Sequence, residues 1–397
     1  MFECRGCGQK LDQPLCDLGA TPLANSYCRP ESPPLPTYSL RPYVCSSCFL
    51  VQLPESISPE HLFSDYAYFS SYSDSWLAHA EGFAEEATSR FGLGEKSQVV
   101  EIASNDGYLL QYFQELGVPV LGVEPAANAA EVAREKGIPT ETLFFGFETA
   151  KQLPQADLVI GNNVLAHAPD LHDFVAGLQQ ILKPGGVISL EFPHLLQLIR
   201  HNQFDTIYHE HVFYLSLLAL QPIFKKHNLA VFDLAHLPTH GGSLRLLVKH
   251  ADDETKPISP TVVAEAELGN LSTYTAFGHQ VEQVKEELLA LLHSIRREGK
   301  IVAAYGAPAK GNTLLNACGI GLDLIRFTVD RSPLKQGLLL PGSRIPVHPV
   351  EKIDQEKPDY VVILPWNLRE EITTQMAHIS SWGGKFIVPI PTPKVLP

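Results

Sequence analysis

Four consecutive side chains that can donate, accept or relay a proton stand near the middle of the chain, in the run Tyr208-His209-Glu210-His211. Histidine titrates near neutral pH and suits a general base, while tyrosine and glutamate can orient it or stabilise an oxyanion. A His-x-His pair is also a common metal-binding element, although a third ligand would have to come from elsewhere. The residue types therefore leave a proton-transfer site, a metal site and a solvated turn open.

Six of the seven cysteines fall within the first 48 residues, and four of them form two Cys-x-x-Cys pairs. These four are Cys4, Cys7, Cys45 and Cys48. Two such pairs can supply four thiolates to one tetrahedral zinc ion, which leaves no open position for catalysis. The proline-rich stretch between the pairs predicts an extended loop. Because so short a segment has little hydrophobic core of its own, metal binding would supply its folding energy. We predict a structural zinc module, with Cys16 and Cys28 outside its ligand set.

Two acidic residues, Glu101 and Glu124, end neighbouring predicted strands after this module. An acid at such a strand end can accept hydrogen bonds from the hydroxyls of a ribose. The turn at 103–107 has one glycine instead of the three of a dinucleotide fingerprint, which argues against NAD. It suits a nucleoside without phosphate, S-adenosylmethionine (SAM), and another nucleoside is the alternative. The predicted cofactor-binding residues are Glu101, Ala103, Ser104, Asn105, Gly107, Tyr108, Leu109, Glu124, Pro125 and Asn163.

The elements that would position these groups alternate between strand and helix from about residue 95. Strands are predicted at 98–102, 118–123, 157–161 and 187–191, helices at 108–116, 126–136 and 171–182, and a turn at 183–186. This pattern indicates a Rossmann-like α/β domain. A helical connector at 261–297, interrupted at Gly269 and Gly278, leads to further strands at 301–305, 324–329, 359–364 and 385–388. We therefore expect a second Rossmann-like domain.

The glycine-rich turn at 306–313 of this second domain opens a helix and carries Lys310. Backbone N–H groups at a helix start, together with a lysine, can hold phosphate. The predicted substrate-binding residues are Lys310, Gly311, Asn312 and Arg331, with His209 from the middle domain. Trp366 could stack on a base or pack in the core. A structural or dimerisation domain is the alternative.

Charge and composition exclude several classes of function. The chain has 397 residues, with 30 basic and 44 acidic side chains and a net charge of −14, which argues against a broad nucleic-acid-binding face. No apolar run approaches the ~18 residues of a membrane span, and no signal-peptide pattern is present. We expect a cytoplasmic α/β protein with a zinc-binding module at 1–62, a SAM-binding domain at 63–255 and a second Rossmann-like domain at 256–397.

Together these motifs resemble the zinc-containing sugar C-methyltransferases, which make branched deoxysugars of the mycarose, noviose and tetronitrose type. The resemblance rests on the cysteine pairs, the turn at 101–107 and the run at 208–211. It also includes 65–71, 241–245 and 305–311, and it spans nearly the whole chain. It implies a class I methyltransferase fold for the middle domain.

The resemblance also implies roles for individual residues. His211 would remove a proton from a carbon next to a keto group, and the resulting enolate would attack the methyl group of SAM. Tyr208, Glu210 and His167 would be its active-site partners, and Tyr66 or Tyr68 would line the pocket.

The expected substrate is a nucleotide-linked keto-deoxysugar, methylated at C-3 of a dTDP-4-keto sugar. We expect no nucleic-acid or membrane partner and a monomer or weak homo-oligomer. The alternatives are a SAM-dependent O- or N-methyltransferase and a non-catalytic nucleotide-binding protein.

Overall fold

The computed structural model describes residues 2–54, 57, 70–72, 74–256 and 265–396. Tyr66 and Tyr68 lie outside these residues, so their place in the pocket stays a prediction. Among the helices of the described ranges, none combines the length and the apolar composition that a membrane crossing needs.

The first 54 residues form short antiparallel strands. These are Phe2–Glu3, Lys10–Leu11, Gln13–Pro14, Ala20–Thr21, Tyr38–Ser39, Tyr43–Val44 and Val51–Gln52. Residues 29–37 form neither helix nor strand, which agrees with the extended loop that the prolines predict. Val51–Gln52 also pairs with Phe213–Tyr214, a strand that follows His211 closely in the chain. The zinc module is therefore hydrogen-bonded to the segment that carries the histidine cluster, a contact that the sequence did not indicate.

The central domain contains a seven-stranded sheet. In chain order its strands are Val99–Ile102, Val120–Val123, Thr140–Glu141, Ala156–Asn162, Leu182–Pro193, Leu229–Leu237 and Ser243–His250. Their spatial order is 3-2-1-4-5-7-6, in which the first five strands are parallel and the seventh is antiparallel to both neighbours. Strands 1 and 4 are neighbours, and the order reverses between them; ligands bind at such a switch point in open α/β sheets.

The helices of this domain are Asp74–Phe91, Leu110–Glu115, Ala127–Glu135, Phe147–Ala150, Leu171–Ile181, Leu195–Arg200 and Leu217–Lys226. The predicted helix at 108–116 is shorter because the turn continues through Tyr108 and Leu109. Ala103, Asn105 and Gly107 in this turn all adopt positive φ. The predicted turn at 183–186 is a bulge within a strand. Ala156 pairs with Leu182, but Leu158 pairs with Val187, so the extra residues loop out of the register.

The C-terminal domain has a six-stranded sheet. In chain order its strands are Val302–Tyr305, Thr328–Val329, Val347–His348, Tyr360–Ile363, Lys385–Val388 and Lys394–Leu396. The spatial order 3-2-1-4-5-6 is that of a doubly wound Rossmann fold, with only the last strand antiparallel. The expected second Rossmann-like unit is therefore present. The predicted strand at 324–329 is limited to its last two residues, and the strands at 347–348 and 394–396 were not predicted.

The predicted connector helix is also shorter than expected within the described residues. It runs over Leu271–Arg297, and the Asn270 side chain caps it by accepting a hydrogen bond from the backbone N–H of Ser272 at 3.0 Å. One face of this helix is buried, through Tyr274, Phe277, Val281, Val284, Leu288, Leu292 and Ile295. These side chains share one hydrophobic core with the zinc module and with the C-terminal sheet. The helix therefore joins the two ends of the chain.

Gly278, which the sequence presented as a weak point of this helix, packs against the backbone of the zinc module. A Cβ at Gly278 would lie 2.7 Å from the backbone oxygen of Leu15. We expect Gly278→Ala to lower the free energy of unfolding by about 1–3 kcal/mol, because the backbone of the module would have to move. Urea titration measures this. Gly269→Ala is the control, since a Cβ there meets nothing within 4 Å; equal effects of both changes would contradict the packing argument.

Candidate active site

A cavity of about 400 Å³ lies between the central and C-terminal domains. Ala103 and Asn163 line it from the carboxyl ends of the first and fourth central strands. Pro308 and Lys310 line it from the turn after the first C-terminal strand. The switch points of both doubly wound sheets therefore open into one cavity, where such sheets bind their ligands.

The cofactor side of this cavity is built around Glu124. Its carboxylate accepts hydrogen bonds from the backbone N–H groups of Asn105 and Ala126, both at 2.8 Å. Burial raises the pKa of Glu124, and these two hydrogen bonds oppose the rise. The turn at 103–107 is held by Asp106, which pairs with Lys136 at 2.9 Å. The carboxylate thus stands in a fixed position at the cavity wall.

The residues present fit SAM. Phe144 and Phe145 offer aromatic surface beside Glu124 at the cavity wall. The side-chain oxygens of Asn162 and Asn163 also border the cavity, and neither has a hydrogen-bond partner among the described residues. An acid for ribose hydroxyls, apolar surface for a base and unsatisfied acceptors for an ammonium group form the donor and acceptor set that SAM needs.

The structure brings six of the ten predicted cofactor residues to the cavity. These are Ala103, Asn105, Tyr108, Glu124, Pro125 and Asn163. The other four do not line it. Ser104, Gly107 and Leu109 shape the turn from behind, where a Cβ on Gly107 would press on Ile138 at 3.0 Å. Glu101 is buried beneath the turn, and burial raises its pKa well above the ordinary value.

His211 lines the cavity with a defined tautomer. Its Nδ1 lies 2.9 Å from the backbone oxygen of Thr206, so the proton resides on Nδ1 and Nε2 carries the lone pair. Burial lowers the pKa of His211 well below the ordinary value, and the nearby His167 contributes to the shift. The Tyr208 ring packs against the His211 ring at a centroid distance of 4.0 Å. His211 is therefore neutral and oriented, with its lone pair on Nε2.

His167 is held in the same way, and its ring meets the His211 ring edge-on at 4.9 Å. Its Nδ1 lies 2.7 Å from the backbone oxygen of Glu210, and burial lowers its pKa to about 4. The Glu210 side chain does not line the cavity. It accepts a hydrogen bond from Asn25 of the zinc module at 2.7 Å, and burial raises its pKa to about 7.

His209, a predicted substrate-binding residue, points elsewhere. Its Nε2 is 3.3 Å from the backbone oxygens of both Tyr38 and Ser39 in the zinc module. Its ring meets the Tyr38 ring edge-on at 5.8 Å. His209 therefore belongs to the contact between the module and the central domain, and it does not line the cavity. A metal site through the His-x-His pair has no geometric support among the described residues, since only the cysteine cluster brings three or more ligands together.

Of the predicted substrate residues in the C-terminal domain, Lys310 alone lines the cavity. Gly311 supports the turn, because a Cβ there would lie 2.9 Å from the Leu364 side chain. Asn312 donates to the backbone oxygen of Ala24 at 2.7 Å and so fastens the zinc module. Arg331 is largely exposed and faces Glu371 at 3.7 Å.

Trp366 packs as a contact between the two α/β domains. Its Nε1 donates a hydrogen bond to Asp205 at 2.7 Å. Its ring leaves no room for a side chain at Gly241, where a Cβ would come within 2.7 Å. The Lys310 ammonium lies 4.8 Å from the centre of the same ring. Of the two interpretations from sequence, the structure supports packing in the core.

Several cavity residues were not predicted from the sequence, and four of them carry polar or aromatic side chains from separate parts of the chain: Asn25, Trp76, His240 and Lys335. His240 could have been suspected because it precedes two consecutive glycines, a signal for an unusual backbone. Asn25, Trp76 and Lys335 carry no local pattern. They come to the cavity from the zinc module, the helix Asp74–Phe91 and the C-terminal domain, so only the tertiary fold reveals them.

The four predicted zinc ligands do converge. The sulfur atoms of Cys4, Cys7, Cys45 and Cys48 all lie within 4.8 Å of one another. Gln52 donates a hydrogen bond to the Cys4 sulfur at 3.1 Å, and the backbone N–H of Gly6 lies 3.4 Å from the same atom. Four thiols with supporting donors fit a closed structural zinc site. Cys16 and Cys28 lie outside the cluster, as predicted.

Comparison with known proteins agrees with this three-part organisation. A family model described as a zinc binding domain matches residues 4–63, a methyltransferase domain matches 76–234, and a C-methyltransferase C-terminal domain matches 238–391. The chain is 38% identical over 405 residues to the C-methyltransferase NovU of Streptomyces niveus, covering 99% of this chain and 96% of that protein.

Two more distant similarities cover less than half of this chain. The chain is 26% identical over 119 residues to a ubiquinone biosynthesis O-methyltransferase of Rhizobium etli, covering 26% of this chain and 47% of that protein. The magnesium protoporphyrin IX methyltransferase ChlM from Synechocystis PCC 6803, solved with bound SAH, aligns with a TM-score of 0.36 and 14% identity, over 43% of this chain and 82% of that one.

The similarity to NovU extends over almost the whole of both chains, and the three family models follow one another in the order zinc domain, methyltransferase domain and C-terminal domain. The two sheets, the cysteine cluster and the SAM-compatible cavity agree with that order. The chain therefore belongs to the family of SAM-dependent C-methyltransferases that carry an N-terminal zinc-binding domain.

Proposed function

We propose that this C-methyltransferase acts on a nucleotide-linked keto-deoxysugar, at C-3 of a dTDP-4-keto sugar, with His211 as the base. One observation carries the proposal: the Nδ1 of His211 is fixed on the Thr206 carbonyl, and the ring lines the cavity that both domains share. A base of this kind is needed because a C–H bond next to a ketone is only weakly acidic. The first alternative from sequence, methylation of oxygen or nitrogen, depends less on a base in the active site.

The proton to be removed goes to Nε2 of His211, and the electron pair of the C–H bond moves toward the keto oxygen to form an enolate. Burial, with a contribution from His167, lowers the pKa of His211, so the ring is neutral and its Nε2 lone pair is free to accept the proton. Tyr208 fixes the plane of the ring by packing against it at 4.0 Å. The enzyme thus supplies a positioned base at the cavity wall.

SAM supplies an electrophilic methyl group when it is bound. The enolate carbon would accept this methyl group, and the sulfur would keep the electron pair of the methyl–sulfur bond. Glu124 and Asn163, at the ends of two neighbouring strands, would hold the cofactor on the central side of the cavity. The proton on His211 then passes to solvent, which restores the base for the next turnover.

A nucleotide diphosphate would bind on the opposite side, in the C-terminal domain. Two cationic side chains, Lys310 and Lys335, line the cavity there, and the helix Ala309–Ala317 begins at the same place. Lys335 also donates to the Ala307 backbone oxygen at 2.9 Å, which fixes its position. Two ammonium groups and a helix start provide the local positive charge that a diphosphate needs within an acidic protein.

The decisive experiment is hydrogen exchange without the methyl donor. Purified enzyme would be incubated with a dTDP-4-keto-deoxysugar in heavy water, with no SAM present, and C-3 followed by NMR. Deuterium incorporation at C-3, followed by methylation of that carbon once SAM is added, supports the proposal. A protein that methylates oxygen or nitrogen without any exchange at carbon contradicts it.

The diphosphate site gives a separate prediction. We expect Lys310→Met to raise the KM for the nucleotide sugar about 10- to 100-fold, because a charge-assisted hydrogen bond contributes about 1.5–3 kcal/mol. The Kd for SAM should stay unchanged, since Lys310 lies on the opposite side of the cavity. Steady-state kinetics and calorimetry measure the two quantities. Arg331→Met is the matched control: it removes one exposed positive charge that does not line the cavity, and a comparable rise in KM would argue against a local role for Lys310.

A further inference from the structure

A strained loop presents His240 to the cavity. Three consecutive residues, His240, Gly241 and Gly242, have φ values of 54°, 91° and 118°. Side chains are excluded at both glycines, because a Cβ would come within 2.7 Å of Trp366 at the first and of Gln197 at the second. His240 is therefore the one residue of the three whose side chain the loop can direct into the cavity, which it lines.

Contacts from several elements maintain this conformation. The Gly241 carbonyl accepts a hydrogen bond from Gln203 at 2.7 Å. The Thr239 hydroxyl donates to Glu191 at 2.9 Å, and the Ser243 hydroxyl donates to the Thr239 carbonyl at 3.0 Å. A non-glycine residue with positive φ costs about 1–3 kcal/mol. It persists where the surrounding contacts hold the backbone in this conformation, most often at functional sites. The fold thus maintains a strained histidine at the cavity wall.

The hydrogen bonds of His240 define its protonation. Its Nε2 lies 3.2 Å from the side-chain nitrogen of Asn163. The reverse orientation of the Asn163 amide would leave both of its N–H bonds without an acceptor, so the amide donates and Nε2 accepts. Burial and the charge of Lys310 lower the pKa of His240 to about 4, so the ring is neutral near pH 7 and its proton is on Nδ1.

This Nδ1–H group has no acceptor among the described residues, while the ring borders the same cavity as His211 and Lys310. His240 is among the neighbours that lower the pKa of His211. A neutral N–H donor can stabilise a developing negative oxygen without giving up its proton, and its pre-set orientation avoids reorganisation during the reaction. Lys310 and Asn163 keep the ring neutral and oriented for this purpose.

Resting on the proposed function, we infer that His240 donates a hydrogen bond from Nδ1 to the keto oxygen of the substrate, and so stabilises the enolate that His211 creates. The base and the oxygen-binding group would then come from different loops of the central domain. His211 lies in the segment that follows the strand Leu182–Pro193, and His240 lies in the loop between the strands Leu229–Leu237 and Ser243–His250. A protonated histidine at this position could not accept the Asn163 hydrogen bond, which favours the neutral donor.

The test compares wild type with His240→Gly and His240→Asn. Glycine removes the donor and relieves the positive φ, whereas asparagine tolerates positive φ and places an N–H donor near the position of Nδ1. We expect His240→Gly to lower deuterium exchange at C-3 about 10²- to 10³-fold, the loss typical of one oxyanion donor. Exchange by His240→Asn should stay within about tenfold of wild type, and the melting temperature of the glycine variant should not fall.

Three outcomes would overturn the inference. The first is a His240→Gly enzyme that exchanges C-3 hydrogen as fast as wild type, which removes this inference and leaves the proposed function standing. The second is a variant with unchanged exchange but weakened SAM binding by calorimetry, which would assign His240 to the cofactor. The third is a wild-type enzyme that shows no exchange, which overturns the proposed function and this inference with it.

Discussion

Replacement of His211 by asparagine should lower deuterium exchange at C-3 about 10²- to 10⁴-fold, the range that a positioned general base contributes. Asparagine keeps an N–H donor near the position of Nδ1, so the hydrogen bond to the Thr206 carbonyl can persist. What it lacks is a nitrogen lone pair at the position of Nε2. NMR of the keto sugar nucleotide in heavy water, without SAM, measures the loss.

The pH dependence of the same assay tests whether His211 is neutral in the folded enzyme. A histidine base is active when neutral, and the folded-state pKa of His211 is lowered by burial and by His167. Exchange should therefore persist as the pH falls to 6, whereas an ordinary histidine, with a pKa of about 6.5, would already be mostly protonated. Glu210 has a pKa raised to about 7, so any change of the exchange rate with pH near neutrality should disappear in Glu210→Gln.

His201→Asn is the matched control for the base, because His201 is an exposed histidine at the end of the helix Leu195–Arg200. It should exchange and methylate like wild type. If His211→Asn retains more than about a tenth of the wild-type exchange, His211 is not the base, and the neutral His167 becomes the first candidate because its ring lies 4.9 Å away.

The sequence predicted the architecture well where a pattern is local. Buried strands with acids at their ends, the single-glycine turn and the paired cysteines each predict one element without reference to the rest of the chain. The errors have local causes. The helix after Gly107 starts at Leu110 because Tyr108 and Leu109 still belong to the turn, where the Leu109 carbonyl accepts a hydrogen bond from the Tyr112 N–H at 3.2 Å. Thr328–Val329 is a short strand because the N–H groups of Leu324 and Ile325 both donate to the Gly321 carbonyl at 3.0 Å, so these buried residues form a turn before the sheet.

The candidate site was harder to predict, because a side chain's direction depends on tertiary contacts. His209 and His211 are two residues apart, yet one packs on the backbone of the zinc module and the other lines the cavity. Nothing in their spacing separates the two. Arg331 and Lys335 are likewise only four residues apart in sequence. Only the fold shows that Lys335 lines the cavity while Arg331 is largely exposed.

Loss of the zinc site should impair catalysis as well as folding. We expect Cys45→Ser to lose its zinc, to melt at a lower temperature and to lose at least ~90% of turnover, because a cluster of four thiolates supplies much of the folding energy of such a small module. Cys45 is completely buried in the cluster, so the change affects the metal directly. Metal analysis, calorimetry and the methylation assay measure the three effects.

Cys16→Ala is the control for loss of a buried thiol. Cys16 is also buried but lies outside the cluster, so this variant should keep its zinc and most of its turnover, at a typical cost of about 1 kcal/mol in stability. A zinc-free Cys45→Ser enzyme that turns over at the wild-type rate would show that the module is independent of the active site.

The contacts of the loop that contains Asn25 and Cys28 explain why we expect loss of zinc to lower catalysis as well as stability. Asn25 of the module donates to Glu210 at 2.7 Å, and the backbone of Glu210 holds His167. Cys28 pairs with Leu339 of the C-terminal domain, so the loop contacts both sides of the cavity. Glu124, by contrast, receives hydrogen bonds from two backbone N–H groups of its own domain. In the zinc-free variant, exchange at C-3 should therefore fall at temperatures where SAM still binds with nearly wild-type affinity, and parallel loss of both would indicate global unfolding instead.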